Sequence, residues 1–169
     1  MFLARVISRA KWERKEWMSE REISADAVTA DLRTQDNILS FWQCGEGTDK
    51  EVNNVALAIA AGRDNIDKVE IVLIDDKDLE NDGQIIKASN GRTPVGSMVK
   101  LHVDVIRLDY YRLGKVAHLV ASAVAADKFH RITKKSVKTL LVTAITESEV
   151  LQVEGLNDKL RPRVQRLLS

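Results

Sequence analysis

The chain has 169 residues, 44% hydrophobic and 30% charged, which is enough for one ordinary hydrophobic core and too few for two comfortable ones. Its 26 Lys and Arg residues nearly balance its 25 Asp and Glu residues, so the formal charge of +1 excludes a global field that attracts nucleic acid or anionic lipid. The single cysteine excludes an intramolecular disulfide, and we see neither a signal-like apolar segment nor an apolar run of roughly 20 residues. We therefore expect one cytoplasmic domain without a membrane partner.

The first half of the chain predicts strand, helix and strand. Residues 1–22 are typical of a basic N-terminal arm or a short strand, since 2–8 is apolar and charges follow it. A short helix is expected from Ser24 to about residue 33, and a buried strand over 38–44. Gly45 and Gly47 end that strand.

The segment 48–62 carries the clearest local signal. Thr48, followed three residues later by Glu51, fits a capping box, in which the threonine hydroxyl accepts an early backbone N–H and the glutamate reaches back to the cap. The helix behind it places Val52, Val55 and Ile59 on one face. It is predicted to end near Gly62.

The second half begins with an apolar, β-branched run at 69–74 that predicts an interior strand. Residues 75–98 are expected to form a long polar loop or to contain a hairpin, because the segment is acidic and carries an Asn90-Gly91 turn signal. Strict alternation over 99–105 predicts a strand, and an apolar stripe predicts a helix over 109–126.

Residues 133–146 fit two structures. Their apolar residues match helical spacing, but the segment is rich in β-branched residues, and we favour a strand. The tail 155–169 predicts a helix that starts near Pro162.

This element order predicts a single α/β domain of α+β type. With 133–146 as a strand, it has the split βαβ (ferredoxin-like βαββαβ) arrangement, in which both helices cover one face of an antiparallel sheet. With 133–146 as a helix, a three-layer α/β domain is expected instead.

Two loops deserve chemical scrutiny. The stretch QCGEGTDKE at 43–51 has glycines before a helix, but it lacks the further glycine of a dinucleotide site and the Gly-Lys-Ser/Thr of a phosphate loop. Its acids oppose both a bound phosphate and a Cys44 thiolate, so it is interpreted as a turn. In the acidic turn that follows, Asp75, Asp76 and Asp78 are weak candidate ligands for a divalent metal.

Positive charge is concentrated in one segment. The candidates for nucleic-acid binding are Lys128, Arg131, Lys134, Lys135 and Lys138, which lie within eleven residues that contain no acid. Arg161, Arg163 and Arg166 would strengthen this surface if the tail folded onto the same side.

Some large apolar residues have no place in the predicted core. These candidate interface residues are Trp12, Trp17, Trp42 and Leu57, and tryptophan is a frequent anchor of protein interfaces. By contrast, Tyr111, Lys115, His118 and Ser122 share a helix face that an ordinary exposed surface explains.

The function we expect is binding to a protein partner, in a regulatory, adaptor or immunity-type role, with self-association into a homodimer as one form of it. The alternatives are a nucleic-acid-binding module and a divalent-metal-dependent hydrolase or nucleotide-handling enzyme. No catalytic residue and no cofactor is assigned.

Overall fold

The computed structural model describes residues 1–19 and 22–169, which form six strands, seven α-helices and two short 3₁₀ helices. The strands are Phe2–Val6 (β1), Leu39–Gln43 (β2), Val69–Asp75 (β3), Ile85–Ser89 (β4), His102–Ile106 (β5) and Phe129–Ile132 (β6). The α-helices are Arg9–Trp12 (α1), Ala25–Asp31 (α2), Asp49–Ala61 (α3), Asp76–Asn81 (α4), Tyr110–Ala125 (α5), Lys134–Thr146 (α6) and Arg161–Leu168 (α7). The 3₁₀ helices span Gly96–Leu101 and Val153–Gly155.

The strands make one antiparallel sheet with the order β4-β5-β2-β1-β3-β6. The N-terminal strand β1 lies in the middle, with Ala4 opposite Trp42 of β2 and opposite Leu73 of β3. The outer strands are therefore β4 and β6, each paired on one side only.

Side chains of β3 alternate between two cores, one on each side of the sheet. Val69, Ile71 and Leu73 join an α3-side core with α3, α6 and α7, whereas Val72 and Ile74 join an α5-side core with α1, α2 and α5. A strand buried on both faces has the continuous apolar sequence seen here. Helices consequently cover both sides of the sheet.

The predicted single α/β domain is confirmed, and its layers follow the three-layer alternative. The strand prediction for 133–146 is wrong, because this segment is α6, with Val137, Leu141 and Ala144 buried in the α3-side core. Burial of that helical stripe outweighs the strand preference of its β-branched residues. The arrangement with helices on one face only is therefore not observed.

Two further segments differ in detail from expectation. The 75–98 segment contains α4 and the edge strand β4. Strand β4 pairs with β5, and residues 90–101 connect the two strands. The predicted strand 99–105 starts only at His102, because the preceding residues form the first 3₁₀ helix. Among the described residues, none of the helices has both the length and the apolar character needed to cross a membrane.

Candidate binding surface at the open half of the sheet

The half of the sheet made by β4, β5 and β2 has a polar face on the α3 side. Along β2, Leu39 and Phe41 enter the α5-side core, so Ser40 and Trp42 face the opposite way. The same alternation brings Lys87 opposite Asp104 and Ser89 opposite His102. This face borders a cavity of about 550 Å³.

A chain of polar contacts crosses this face. The Ser40 hydroxyl donates to Asp104 Oδ1 at 2.9 Å, and the Ser89 hydroxyl lies 2.7 Å from His102 Nδ1. Asp104 Oδ1 is 3.9 Å from the same His102 nitrogen. A Ser-His-Asp triad requires the serine and the acid at opposite ring nitrogens, so this geometry does not form one.

The environment keeps His102 uncharged at neutral pH. Burial lowers the pKa of His102, and nearby Arg5 lowers it further, while Asp104 acts in the opposite direction. The edge of the imidazole also packs against Trp42, with ring centroids 4.9 Å apart and planes at 80°. His102 is thus a fixed, neutral wall of the cavity.

A tight turn forms another wall. Gln35 and Ile38 exchange two backbone hydrogen bonds of 3.3 and 3.0 Å, while Asp36 and Asn37 have φ angles of 55° and 60°. Two consecutive residues with positive φ are the mark of a type I′ hairpin turn, and Asp and Asn tolerate that conformation better than other non-glycine residues. The turn therefore holds Asp36 at the cavity in a defined position.

Strand β4 is the open edge of this half of the sheet. Ile86 packs toward the α5-side core, whereas Ile85, Lys87 and Ala88 are exposed. Among the strands that the structure describes, only β5 pairs with β4, so the backbone groups on the outer side of β4 face away from the sheet. Such an edge is a template for a further strand.

Two exposed tyrosines begin α5, close to the residues that precede β4. Tyr110 is 94% exposed and Tyr111 is 73% exposed. Lys115 lies 5.2 Å from the Tyr111 ring centroid and donates to the Asp82 carbonyl at 3.1 Å, and Gln84 donates to the Arg112 carbonyl at 3.5 Å. These contacts hold the start of α5 beside the residues that enter β4. We call Ile85, Lys87, Ala88, Tyr110 and Tyr111 the β4 edge surface.

The predicted interface residues are mostly not at the surface. Trp12 is 8% exposed and donates from Nε1 to Asp31 Oδ2 at 2.9 Å, and Leu57 is 6% exposed. Leu57 belongs to the α3-side core because α6 and the first 3₁₀ helix pack on α3 in addition to the sheet. Trp42 is half-buried against His102, and Trp17 alone of the four is widely exposed, at 79%.

The basic segment is partly neutralised by acids distant in sequence. Arg131 lies 3.8 Å from Glu70, and Lys134 lies 3.7 Å from Asp67. The Lys128 ammonium sits 5.5 Å from the centroid of the Phe2 ring. Lys135 and Lys138 are exposed on α6.

The three arginines of the tail have different environments. Arg161 donates to the carbonyls of Glu154 and Leu156, whereas Arg163 and Arg166 are exposed on α7. Some of the candidate nucleic-acid residues therefore have acidic or structural partners, and others are exposed.

The acidic turn is used in local structure. Asp75 Oδ1 accepts the N–H of Lys77 at 3.0 Å and so caps α4, and Asp76 accepts a hydrogen bond of 3.0 Å from the Met1 amino group. Asp78 is exposed. Within residues 1–19 and 22–169, no three His, Cys, Asp or Glu side chains form a possible metal-binding group. The suggested metal site gains no support.

The QCGEGTDKE stretch is a structural turn. Gly45 and Gly47 have φ angles of 47° and 74°, and the predicted capping box between Thr48 and Glu51 is confirmed. Cys44 is 1% exposed, and burial, followed by the charge of Glu51, raises its pKa to about 11. Its thiol is therefore protonated at neutral pH.

Sequence reasoning missed the polar cavity because its residues come from three separate segments. The alternation of Leu39, Ser40, Phe41 and Trp42 is visible, but only the pairing of β2 with β5 and of β5 with β4 brings His102, Asp104 and Ser89 to the same place. Comparison of the chain with protein-family models, curated proteins and solved structures finds no match in any of the three.

Proposed function

We propose that this protein acts by binding a partner protein, and that an extended segment of the partner adds a strand to the β4 edge surface. The observation that carries the proposal is the open outer side of β4, close to the start of α5 with its two widely exposed tyrosines. In strand addition, backbone hydrogen bonds supply affinity and side-chain contacts on alternate residues supply specificity. We place this activity in the cytoplasm.

The side chains support one kind of partner segment. Tyr110 and Tyr111 are of a residue type enriched in interface hot spots, and they precede Arg112, whose carbonyl accepts a hydrogen bond from Gln84, the residue before β4. Lys87 projects from the middle of the strand and has no carboxylate within 4.0 Å among the described residues. We expect an acidic side chain in the partner strand next to Lys87.

The same lysine disfavours a second copy of this chain. An antiparallel pairing that uses all five residues of β4 places Lys87 directly opposite Lys87 of the second copy. Like charges facing each other across a strand pair are destabilising. A different protein therefore fits this edge better than a homodimer.

The other edge of the sheet is less suited to strand addition. Strand β6 has four residues, and Arg131 and Lys134 beside it already engage Glu70 and Asp67. For the same reason we do not adopt nucleic-acid binding as the main function. The metal-dependent enzyme is also not adopted, since the acidic turn caps α4.

A photo-cross-linking residue in place of Ala88 tests the proposal in cells that produce the protein. Irradiation is expected to attach one defined partner at this position, and a cross-linker in place of Lys138 on α6 serves as the control. Lys87→Glu should weaken the capture by about tenfold or more, because it opposes an acidic partner strand.

Lys138→Glu reverses a charge on an exposed helix position and should leave the capture from position 88 unchanged. Equal capture from both positions, or capture that Lys87→Glu does not reduce, would overturn strand addition at β4. A covalent dimer of this chain would show that the partner is a second copy, and would contradict the proposal of a different protein.

A further inference from the structure

The cavity beside Ser40 and His102 contains the carboxylate of Asp104, which has no positively charged group of the described chain in contact with it. The side chain of Asp104 is only 20% exposed, and its hydrogen bond from Ser40 comes from an uncharged hydroxyl. Among the described residues, no Lys or Arg nitrogen lies within 4.0 Å of it. Lys87 is the cross-strand neighbour of Asp104, but its side chain is exposed and its ammonium lies beyond that distance. Withdrawing a charge from water is costly unless an opposite charge compensates it.

The neighbouring histidine does not supply that charge. His102 Nδ1 is 3.9 Å from Asp104 Oδ1, and it is also contacted by the Ser89 hydroxyl at 2.7 Å. Because burial lowers the pKa of His102, the ring is neutral at pH 7. The histidine therefore adds no positive charge beside Asp104.

The rest of the cavity suits a small cation. The type I′ turn presents a second carboxylate, Asp36, and Trp42 adds an aromatic wall. Carboxylates next to an aromatic ring are a common environment for organic ammonium groups, since the ring quadrupole also attracts positive charge. Arg92 is the cation that lines this cavity, and its exposed side chain is more strongly screened by solvent than Asp104.

We propose that this cavity binds a small organic molecule carrying an alkylammonium or guanidinium group, with Asp104 as its main counter-ion. Asp36 and Trp42 contact the same cationic group, and Ser40 holds the Asp104 carboxylate in place. Arg92 lies at the rim, where its guanidinium can bind a polar or anionic group of the ligand. The cation-binding residues belong to β2, β5 and the 35–38 turn, whereas strand addition uses the outer side of β4.

Isothermal titration of the purified full chain with agmatine and with putrescine tests the site, and 1,4-butanediol serves as the uncharged analogue. We expect both amines to bind and butanediol to give no heat. Asp104→Asn keeps the shape of the side chain and removes its charge, so it should weaken amine binding by about tenfold or more. Asp78→Asn, which removes an exposed charge on α4, should bind like the unaltered protein.

Thermal unfolding of each variant guards against loss of the fold. If Asp104→Asn does not fold, Asp36→Asn at the exposed turn replaces it and should also weaken binding. No heat from either amine at about 10 mM would overturn the proposal. Equal affinity for butanediol, or amine binding unchanged in the folded Asp104→Asn and Asp36→Asn variants, would overturn it as well. None of these results depends on the partner captured at β4.

Discussion

At the scale of single residues, Arg5 of β1 links the end of α2 to β2. Its guanidinium donates to the Asp31 carbonyl at 2.7 and 3.2 Å and to the Ser40 carbonyl at 2.6 Å, and it lies 5.9 Å from the Phe41 ring centroid. Burial lowers the pKa of Arg5 to about 10, so it still carries its charge at neutral pH. This buried cation fixes the end of α2 against β2, and thereby one border of the polar cavity.

Arg5→Met should lower the free energy of unfolding by about 2–4 kcal/mol, because the two carbonyls lose their donors while remaining shielded from water. Urea denaturation measures the change. Arg33→Met, at an exposed position just after α2, is the matched control and should change stability by less than about 0.5 kcal/mol. Equal effects of the two substitutions would mean that the Arg5 contacts contribute nothing specific.

Cys44 provides a second prediction at this scale. Its thiol is buried and its raised pKa, about 11, disfavours the reactive thiolate. We expect a disulfide reagent such as DTNB to label the native protein at pH 8 far more slowly than the protein unfolded in guanidinium chloride. Labelling of native Cys44 as fast as that of the unfolded chain would restore the possibility of an active thiol.

At the scale of elements, the start of α3 was predictable because a capping box is local. The Glu51 carboxylate accepts the Thr48 N–H at 2.9 Å, and the Thr48 hydroxyl accepts the Glu51 N–H at 3.4 Å. Thr48→Ala should therefore cost about 1 kcal/mol of stability. Thr139→Ala, at an exposed position of α6, is the matched control for loss of a threonine without loss of a cap, and it should cost less.

The same cap gives a pH dependence. Hydrogen bonds from the Thr48 backbone and side chain lower the pKa of Glu51 below its ordinary value of 4.5, so the unfolded chain takes up a proton more readily than the folded protein. The contribution is complete above pH 4.5 and is lost as the pH falls toward the lowered folded-state value. Urea midpoints of the unaltered protein should then fall more steeply below pH 4.5 than those of Glu51→Gln. Parallel curves would contradict this role.

Helix α6 shows why other elements resisted prediction. Its β-branched residues favour a strand locally, and only packing of Val137, Leu141 and Ala144 on α3 decides for a helix. The burial of Leu57 is equally non-local, since α6 and the first 3₁₀ helix pack on α3 in addition to the sheet. Local signals such as caps and alternation were therefore readable from the sequence, whereas residues whose environment is formed by distant segments were not.

At the scale of the whole molecule, the position of β1 determines the site. The N-terminal strand pairs with β2 on one side and with β3 on the other. Strands β2, β5 and β4 therefore form one half of the sheet, away from the helices of the α3-side core. The polar face, the cavity and the open edge all follow from that topology. The sequence predicted a basic arm or a short strand at 1–22, but it gave no means of placing a strand from this segment in the middle of the sheet.

The same topology gives the molecule two separate opportunities for binding. The cavity lies over β2 and β5, while the β4 edge surface points outward from the sheet. Strand addition at the β4 edge surface would convert an edge strand into an interior strand.

Hydrogen exchange of the complex with the captured partner tests that claim most directly. Partner binding is predicted to slow exchange of those amides of Ile85–Ser89 that point away from β5 by about tenfold or more, because they become hydrogen-bonded to the added strand. Amides of the opposite edge, Phe129–Ile132, should exchange as they do in the free protein. Unchanged exchange in β4, or equal protection of both edges, would contradict the account.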